Sequence, residues 1–265
     1  MGIKQEVKNM MKEIRGLYLP SSEVIVDETF SKLGYTQEKI SEKKARERFE
    51  EILNEAWRST LDVLEDYENK TYSKGIPEQL ISNKKKMFEG SEKIADGNGF
   101  RQGVIEIFQK WYPYLREMFL SVAQSRKARG GRDFELQFGR MLDLIKVPYQ
   151  KIKRAYRVDF MMPDDRAFKK NPTSVAIVSA KRTLRERWRE VVEELYEMRS
   201  PNIFLMTADY DVSKSHVKAI CDDYRIHLVV WNEVKKKYPD DSLVLSYNQW
   251  ANERLPILMR FWESL

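Results

Sequence analysis

The sequence is poor in the residues that build disulfide, thiolate and histidine chemistry. Its 265 residues contain one cysteine, Cys221, which excludes a disulfide framework and any zinc site made of several thiolates. Two histidines, His216 and His227, leave little room for histidine-centred catalysis. No apolar run approaches the ~20 residues of a membrane span, and the charged start of the chain is unlike a signal peptide. These absences predict a cytoplasmic protein without a membrane partner.

What is present is an excess of positive charge concentrated in one segment. The chain holds 47 Lys and Arg against 41 Asp and Glu, a net charge of +6. Residues 121–157 alone carry ten basic and three acidic side chains, a surplus of +7, so the rest of the chain is close to neutral. Such a concentration is expected of a surface that binds a polyanion. A solvated Lys/Arg-rich helix face is the alternative.

Hydropathy divides the chain into a helical N-terminal part and a later α/β part. Residues 41–69 follow the three- and four-residue steps of an amphipathic helix. Gly, Pro and Asn predict turns at 73–77 and 96–99, and Gly130-Gly131 is expected to break the chain. We therefore expect a helical domain over 1–122 and an α/β domain over 123–265.

The second part alternates predicted strands with predicted helices. A helix is expected over 132–146, and later helices over 184–198 and 213–224. The strand-like runs are 158–162, 174–180, 202–207 and 226–231. This alternation predicts an α/β fold with a mixed, partly parallel sheet flanked by helices.

Two charged residues occupy strand ends in this α/β part. Asp159 lies within a strand-like run, and Lys181 closes a nearly all-apolar run that has the texture of a buried central strand. Because burial of an unpaired charge is costly, the presence of charged residues at the ends of core strands requires an explanation. A divalent cation held by carboxylates and faced by an ammonium is one, since a lysine can then position water and stabilise a phosphate. An ordinary surface salt bridge is the alternative.

A second carboxylate is expected from a neighbouring helix. On the predicted helix after Lys181, Glu194 lies on the flank of the apolar stripe, whereas Glu193 points to solvent. Glu135, within the basic segment, is a further candidate. Each of these glutamates has an ordinary alternative as a solvated or Arg-paired helix residue.

An Arg-Glu-Arg triplet, Arg185-Glu186-Arg187, follows Lys181 closely. Arginine presents a fork that matches guanine O6 and N7, and glutamate accepts from the cytosine N4 amine, both in the major groove. The triplet can therefore read G and C. An ion-pair network along an exposed helix is the alternative.

Three blocks of this sequence resemble a known enzyme family. They are S-R-K-A-R-G-G-R-D-F-E over 125–135, V-D-F-M-M-P over 158–163, and S-A-K-R-T-L-R-E-R-W-R over 179–189. In order and relative position they resemble the type II restriction endonucleases of the EcoRII, PspGI, NgoMIV and BsaWI group. These are enzymes of the PD-(D/E)XK fold that cut sites built on CC and GG. Within the group, this chain resembles the BsaWI-like or PspGI-like members. The resemblance covers about residues 120–235.

The resemblance implies a role for each candidate residue. Asp159 and Glu194 would be Mg²⁺ ligands, Lys181 the catalytic lysine and Glu135 an additional acidic residue of the active site. The usual Glu of the D/E-X-K pair is displaced onto the following helix in this group, and Ser179 stands in its place here. The resemblance also implies that the CC/GG reader is formed by Arg185, Glu186 and Arg187.

The implied function is Mg²⁺-dependent cleavage of double-stranded DNA at a palindromic CC/GG site, CCGG or an interrupted CC-N-GG, leaving 5′-phosphate and 3′-hydroxyl ends. A homodimer or higher homo-oligomer would match the palindrome, and a cognate DNA methyltransferase would be a functional partner in a prokaryotic cytoplasm. Contacts to the DNA backbone are expected from Arg126, Lys127, Arg129 and Arg132. Two alternatives remain open. One is a non-catalytic DNA-binding protein on a nuclease-like fold, and the other is a structure-selective repair or junction-resolving nuclease.

Overall fold

The N-terminal half of the chain is helical, as the hydropathy pattern predicts. The structure is a computed structural model that describes residues 2–152, 158–184 and 188–262. Within these ranges, helices α1–α6 precede the first strand. Their bounds are α1 Ile3–Tyr18, α2 Ser22–Lys32, α3 Glu42–Glu47, α4 Phe49–Asn83, α5 Lys85–Asn98 and α6 Phe100–Leu144.

Two expected chain breaks are wrong, because the helices continue through them. Helix α4 runs through 73–77, and α6 runs through Gly130-Gly131. Glycine in a helix costs about 1 kcal/mol relative to alanine, which burial of neighbouring side chains readily offsets. Gly75 has a packing reason, since a Cβ there would lie 2.6 Å from Cγ2 of Ile14. Of the turn expected at 96–99, only the break at Gly99 is found, because α5 continues through Asn98, and Gly99 adopts a φ of +88° between α5 and α6.

The second half forms a six-stranded mixed sheet in the order β1-β2-β3-β4-β5-β6. The strands are β1 Gln150–Lys151, β2 Phe160–Met162, β3 Ala176–Lys181, β4 Ile203–Thr207, β5 His227–Val230 and β6 Val244–Ser246. The first three pair antiparallel, and β3 to β6 pair parallel. The predicted mixed, partly parallel sheet is therefore confirmed, although β1 and β6 were not predicted.

Short helices connect these strands and follow the last one. They are α7 Asp165–Lys170, a 3₁₀ turn Pro172–Ser174, α8 Trp188–Tyr196, α9 Lys214–Val217 with a π-helical continuation Lys218–Asp223, α10 Asn232–Lys235, α11 Tyr247–Gln249 with a π-helical continuation Trp250–Arg254, and α12 Leu255–Trp262. Across the described ranges, no helix combines the length and the apolar character that a membrane span requires.

The chain groups into two compact units that are each discontinuous in sequence. The first contains residues up to Ile25 together with Thr60–Gly130. It is all helical, and its core is formed by Val7, Met10, Met11, Ile14, Ile76, Leu80, Trp111 and Met118. The second contains Val26–Ser59 and Gly131–Leu265 and includes the sheet. The expected division into domains 1–122 and 123–265 remains a prediction.

An aromatic cluster fixes the end of α6 against the sheet in the second unit. The Phe138 ring lies 5.3 Å from the Phe160 ring and 5.5 Å from the Trp250 ring, measured between centroids. Both phenylalanines are fully buried. Because Glu135 precedes Phe138 by about one helical turn and Asp159 precedes Phe160 directly, this packing brings the two acidic residues to one region.

Candidate active site

The structure brings Asp159 and Lys181 into direct contact. Lys181 closes β3, and its Nζ lies 2.7 Å from Oδ2 of Asp159. Asp159 precedes β2 and is held in place because its backbone N–H donates to the Val178 carbonyl. The two side chains are 25% and 17% exposed, so the pair is shielded but reachable from solvent. The antiparallel pairing of β2 with β3 thus joins two residues that lie 22 positions apart.

One oxygen of the Asp159 carboxylate accepts all of its hydrogen bonds. Oδ2 accepts from the Ala180 backbone N–H at 2.7 Å, the Ser179 hydroxyl at 3.2 Å and the Lys181 ammonium at 2.7 Å. Within the described part of the chain, Oδ1 accepts none. A carboxylate oriented by three donors on one oxygen keeps the other oxygen available to an external ligand.

Glu135 of α6 belongs to the same electrostatic site. Its pKa is raised from 4.5 to about 7, first because the carboxyl group is buried and then because the negative charge of Asp159 repels it. The positive charges of Lys181, Lys151 and Arg132 act in the opposite direction. Glu135 therefore changes its protonation state near neutral pH, where the charge of a bound cation would relieve its repulsion with Asp159.

Glu194 has the orientation that the helical pattern predicted. It is half-buried on α8, whereas Glu193 is exposed. Among the residues that the structure describes, however, no three acidic, histidine or cysteine side chains form a ready-made metal cluster. The structure thus unites Glu135, Asp159 and Lys181, and the role of Glu194 as a metal ligand remains a prediction.

The donor set of this site fits a hard divalent cation. The free Oδ1 of Asp159 and the repulsion between the Glu135 and Asp159 carboxylates are both features that a cation would satisfy. Carboxylate oxygens are the ligands that Mg²⁺ and similar ions prefer. No histidine or cysteine has an interaction with these three residues in the described ranges, which disfavours a softer metal.

The predicted base-reading triplet, Arg185, Glu186 and Arg187, lies outside the described residues. The structure describes the residues that precede the triplet, up to Leu184. The guanidinium carbon of Arg182 lies over the Trp57 ring, 5.4 Å from its centroid, and Trp57 packs edge-on against Phe134 of α6. Hydropathy had offered no signal for this contact, because Trp57 and Arg182 are 125 positions apart.

The four basic residues predicted to contact the DNA backbone all lie on α6, but they differ in their surroundings. Arg126 forms an ion pair with Glu68, and Arg129 donates to the Pro20 carbonyl at 2.8 Å. The side chains of Lys127 and Arg132 are exposed. The backbone role of all four remains a prediction.

Lys151 is a contributor that sequence reasoning missed. It had counted only toward the charge of the basic segment, yet its positive charge acts on Glu135, and its Nζ lies 6.0 Å from the centroid of the Phe160 ring. The sequence carried no signal for this role. Lys151 lies in β1, and hydropathy did not predict that strand because it is only two exposed residues long.

A family model and a curated relative match most of this chain. The model described as EcoRII C terminal matches residues 99–247, which is more than half of the sequence. The type II restriction enzyme SsoII of Shigella sonnei is 26% identical over 278 aligned positions, covering 98% of this chain and 85% of SsoII.

Solved structures share the fold. Metal-depleted Ecl18kI in complex with uncleaved, modified DNA has a TM-score of 0.84 at 22% identity, covering 99% of this chain and 86% of Ecl18kI. The PspGI–substrate DNA complex has a TM-score of 0.61 at 16% identity, covering 93% of this chain and 95% of PspGI. At these identities the structural likeness shows the fold alone.

Proposed function

This chain belongs to the EcoRII C-terminal family and is a type II site-specific deoxyribonuclease, and we propose that it cuts double-stranded DNA at palindromic sites built on CC and GG with Mg²⁺ as cofactor. The observation that carries the proposal is the 2.7 Å contact between Lys181 and Asp159 beside the raised-pKa carboxyl group of Glu135. An acid, an ammonium and a second acid in one site are the parts that phosphodiester hydrolysis needs.

Asp159 and Glu194 would hold the cation. Asp159 would offer Oδ1, because its Oδ2 is engaged by the three donors from β3. Glu194 would approach from α8, on which it is half-buried. When bound, the cation supplies positive charge that stabilises the negative charge developing on the scissile phosphate.

Lys181 would position the attacking water and stabilise the phosphate. An ammonium has three N–H donors, and Asp159 occupies one of them, which leaves two for a water molecule and a phosphate oxygen. The same contact with Asp159 orients the lysine, so the ammonium is placed before DNA binds and needs little reorganisation during the reaction.

Glu135 would accept a proton from the attacking water, because its carboxyl group lies in the same electrostatic site as Asp159 and Lys181. The water oxygen forms a bond to phosphorus while the bond from phosphorus to the 3′ oxygen breaks. The water proton passes to Glu135, and the 3′ oxygen takes a proton from solvent. The products are a 5′-phosphate and a 3′-hydroxyl.

Arg185, Glu186 and Arg187 would read the CC/GG core. They begin four residues after Lys181, so the reading segment and the catalytic lysine are joined by a short connection. Two arginines matching guanine and one glutamate matching cytosine fit a G·C-only core. A homodimer would match the palindrome, with one active site for each DNA strand.

The test is digestion of a long DNA of known sequence by the full chain with Mg²⁺, followed by sequencing of the ends. We expect discrete fragments whose 5′-phosphorylated ends map to one palindrome containing CC/GG, and no cleavage with EDTA. Discrete ends at palindromes without CC/GG would overturn the base assignment. Cleavage confined to junctions would instead favour a structure-selective nuclease, and binding without cleavage would favour a non-catalytic DNA-binding protein.

A further inference from the structure

The first described residue of α8, Trp188, directly follows the proposed base-reading triplet and packs against α9. Its ring meets the His216 ring edge-on, with 5.3 Å between the centroids and an angle of 79° between the planes. Both residues are half-buried and belong to the second structural unit. Aromatic rings prefer this edge-to-face arrangement, because the positive edge of one ring faces the negative surface of the other. The contact therefore joins the start of α8 to a neighbouring helix of the same unit.

His216 is held in place by the N-terminal cap of α9. Its backbone N–H donates to Oγ of Ser213 at 3.2 Å, and its Nδ1 accepts from the Ser213 backbone N–H at 3.3 Å. These two bonds form a capping box, in which the third helical residue is usually Glu or Gln. The capping box of α11, Ser246 with Gln249, has the usual residue. A histidine satisfies the cap of α9 equally and adds a ring that reaches Trp188.

The loop between β4 and α9 contacts the chain before the triplet. The Ala208 backbone N–H donates to the Lys181 carbonyl at 3.2 Å, and the Asp209 carboxylate accepts from the Leu184 backbone N–H at 3.0 Å. The loop is itself fixed, because the Ala208 carbonyl accepts from the buried Trp231 indole at 3.0 Å. The loop therefore holds the residue before the triplet, and the helix that follows the loop holds the residue after it.

We propose that His216 is a positioning residue for base recognition, which holds Trp188 on one side of the triplet as Asp209 holds Leu184 on the other. The inference rests on the proposed role of residues 185–187 in reading CC/GG. Only three residues separate Leu184 from Trp188, so fixing both restricts the space that the triplet can reach. Reading side chains that are positioned by their neighbours cannot shift to suit a wrong base pair, and this raises discrimination between sites.

The neighbouring Arg189 does not serve this purpose. Its guanidinium carbon also lies over the Trp188 ring, 5.5 Å from the centroid. Because Arg189 and Trp188 are adjacent in α8, their contact cannot join that helix to another element. His216 belongs to α9, so its contact with Trp188 does. Loss of the His216 ring and loss of the Arg189 side chain therefore have different expected effects on the choice of site.

The test compares single-turnover cleavage rates of the full chain with Mg²⁺ at two DNA duplexes. One carries the cleavage site, and the other is the same duplex with one G·C pair of that site replaced. His216→Gln removes the ring but keeps both capping bonds, as Gln249 does in α11. We expect the ratio of the two rates to fall about 3- to 10-fold, because an edge-to-face aromatic contact corresponds to a factor of this size in an equilibrium.

Two further variants separate the ring from the cap and from the surface of the helix. His216→Phe keeps a ring against Trp188 and loses the acceptor of the cap, so it should retain most of the ratio. Lys214→Gln, at an exposed position of α9, is the matched control and should leave the ratio unchanged. Equal losses of the ratio in His216→Gln and His216→Phe would assign the effect to the cap and overturn the proposal.

Trp188→Leu removes the same contact from the other side and covers the case in which His216→Gln fails to fold. The variant that combines both changes should have the ratio of Trp188→Leu alone, since one contact can be lost only once. Additive losses, or an unchanged ratio in both single variants, would refute the positioning role.

Arg185→Ala distinguishes a failure of this inference from a failure of the proposed function. If Arg185→Ala lowers the ratio and His216→Gln does not, only the positioning role is wrong. If Arg185→Ala and Arg187→Ala both leave the ratio unchanged, the triplet does not read the site, and the proposed reader fails together with the inference that rests on it.

Discussion

The backbone N–H of Leu184 donates a hydrogen bond to the Asp209 carboxylate across 3.0 Å. Leu184 is buried and directly precedes the proposed base-reading triplet 185–187, and Asp209 follows the neighbouring parallel strand β4. Asp209 is itself held, because its Oδ1 accepts from the backbone N–H of Asp211 at 3.0 Å. The loop after β4 therefore holds the residue that directly precedes the proposed base-reading triplet.

Replacement of Asp209 should relax the choice of site more than it slows the reaction. Asp209→Ala removes the acceptor for Leu184, and loss of one such hydrogen bond, worth about 1.5 kcal/mol, predicts a roughly 10-fold change in discrimination. Asp209→Asn keeps an oxygen acceptor and should restore most of it. The measurement is the ratio of cleavage rates at cognate and single-mismatch sites, with Asp211→Ala as control. An unchanged ratio with equal losses at both sites would contradict this role.

Lys181→Ala should lower the cleavage rate by ~10³-fold, because it removes the ammonium that positions water and stabilises the phosphate. DNA affinity should change only a few-fold, since one phosphate contact is lost. Single-turnover cleavage and gel-shift binding measure the two effects. Lys43→Ala is the control, as the Lys43 side chain is 88% exposed and has no place in the site. Parallel loss of binding and cleavage would argue against the assignment.

Glu135→Gln should make the cation-free protein more stable at pH 8.5 while it slows cleavage. The folded protein raises the pKa of Glu135 from 4.5 to about 7, so ionised Glu135 lowers the free energy of unfolding. This destabilisation grows as the pH rises from 4.5 to about 7 and stays constant at higher pH. The variant should therefore melt at a higher temperature than wild type at pH 8.5, with the difference vanishing at and below pH 4.5.

Divalent cation provides the control for this prediction. Bound cation would relieve the repulsion between Glu135 and Asp159, so Mg²⁺ should raise the melting temperature of wild type more than that of Glu135→Gln at pH 8.5. Glu193→Gln, at an exposed position of α8, should show no pH-dependent difference. A stability gain of equal size at pH 4.5 and pH 8.5 would contradict a titrating Glu135.

Arg185→Ala or Arg187→Ala should weaken discrimination at the G·C pairs. A bidentate arginine–guanine contact is worth ~1–3 kcal/mol, which predicts a loss of roughly 10- to 100-fold in preference over a substituted base pair. Competition cleavage of cognate and substituted oligonucleotides measures it. Arg189→Ala is the matched control, because Arg189 is exposed on α8 and its guanidinium lies over the neighbouring Trp188 ring. Equal effects of all three variants would indicate a general charge contribution instead.

The central strands and the pair of site residues on them were predictable because their signals are local. The run before Lys181 is short, β-branched and apolar on both faces, which is typical of a central strand, and β3 was found within two residues of its expected bounds. Strand β1 was missed because two exposed residues have no periodicity. The break expected at Gly130-Gly131 was wrong because helix propensity is worth only about 1 kcal/mol per glycine.

By itself the sequence determined the fold class, the order of the main strands and the charged residues at their ends, since burial patterns and charge are written along the chain. Tertiary structure alone decided which of those charges meet. Antiparallel pairing of β2 with β3 placed Asp159 2.7 Å from Lys181. The packing of Phe138 on Phe160 brought Glu135 close enough to Asp159 for repulsion to add to the effect of burial on its pKa. Electrostatic coupling depends on distance and burial in three dimensions, and neither is encoded in spacing along the chain.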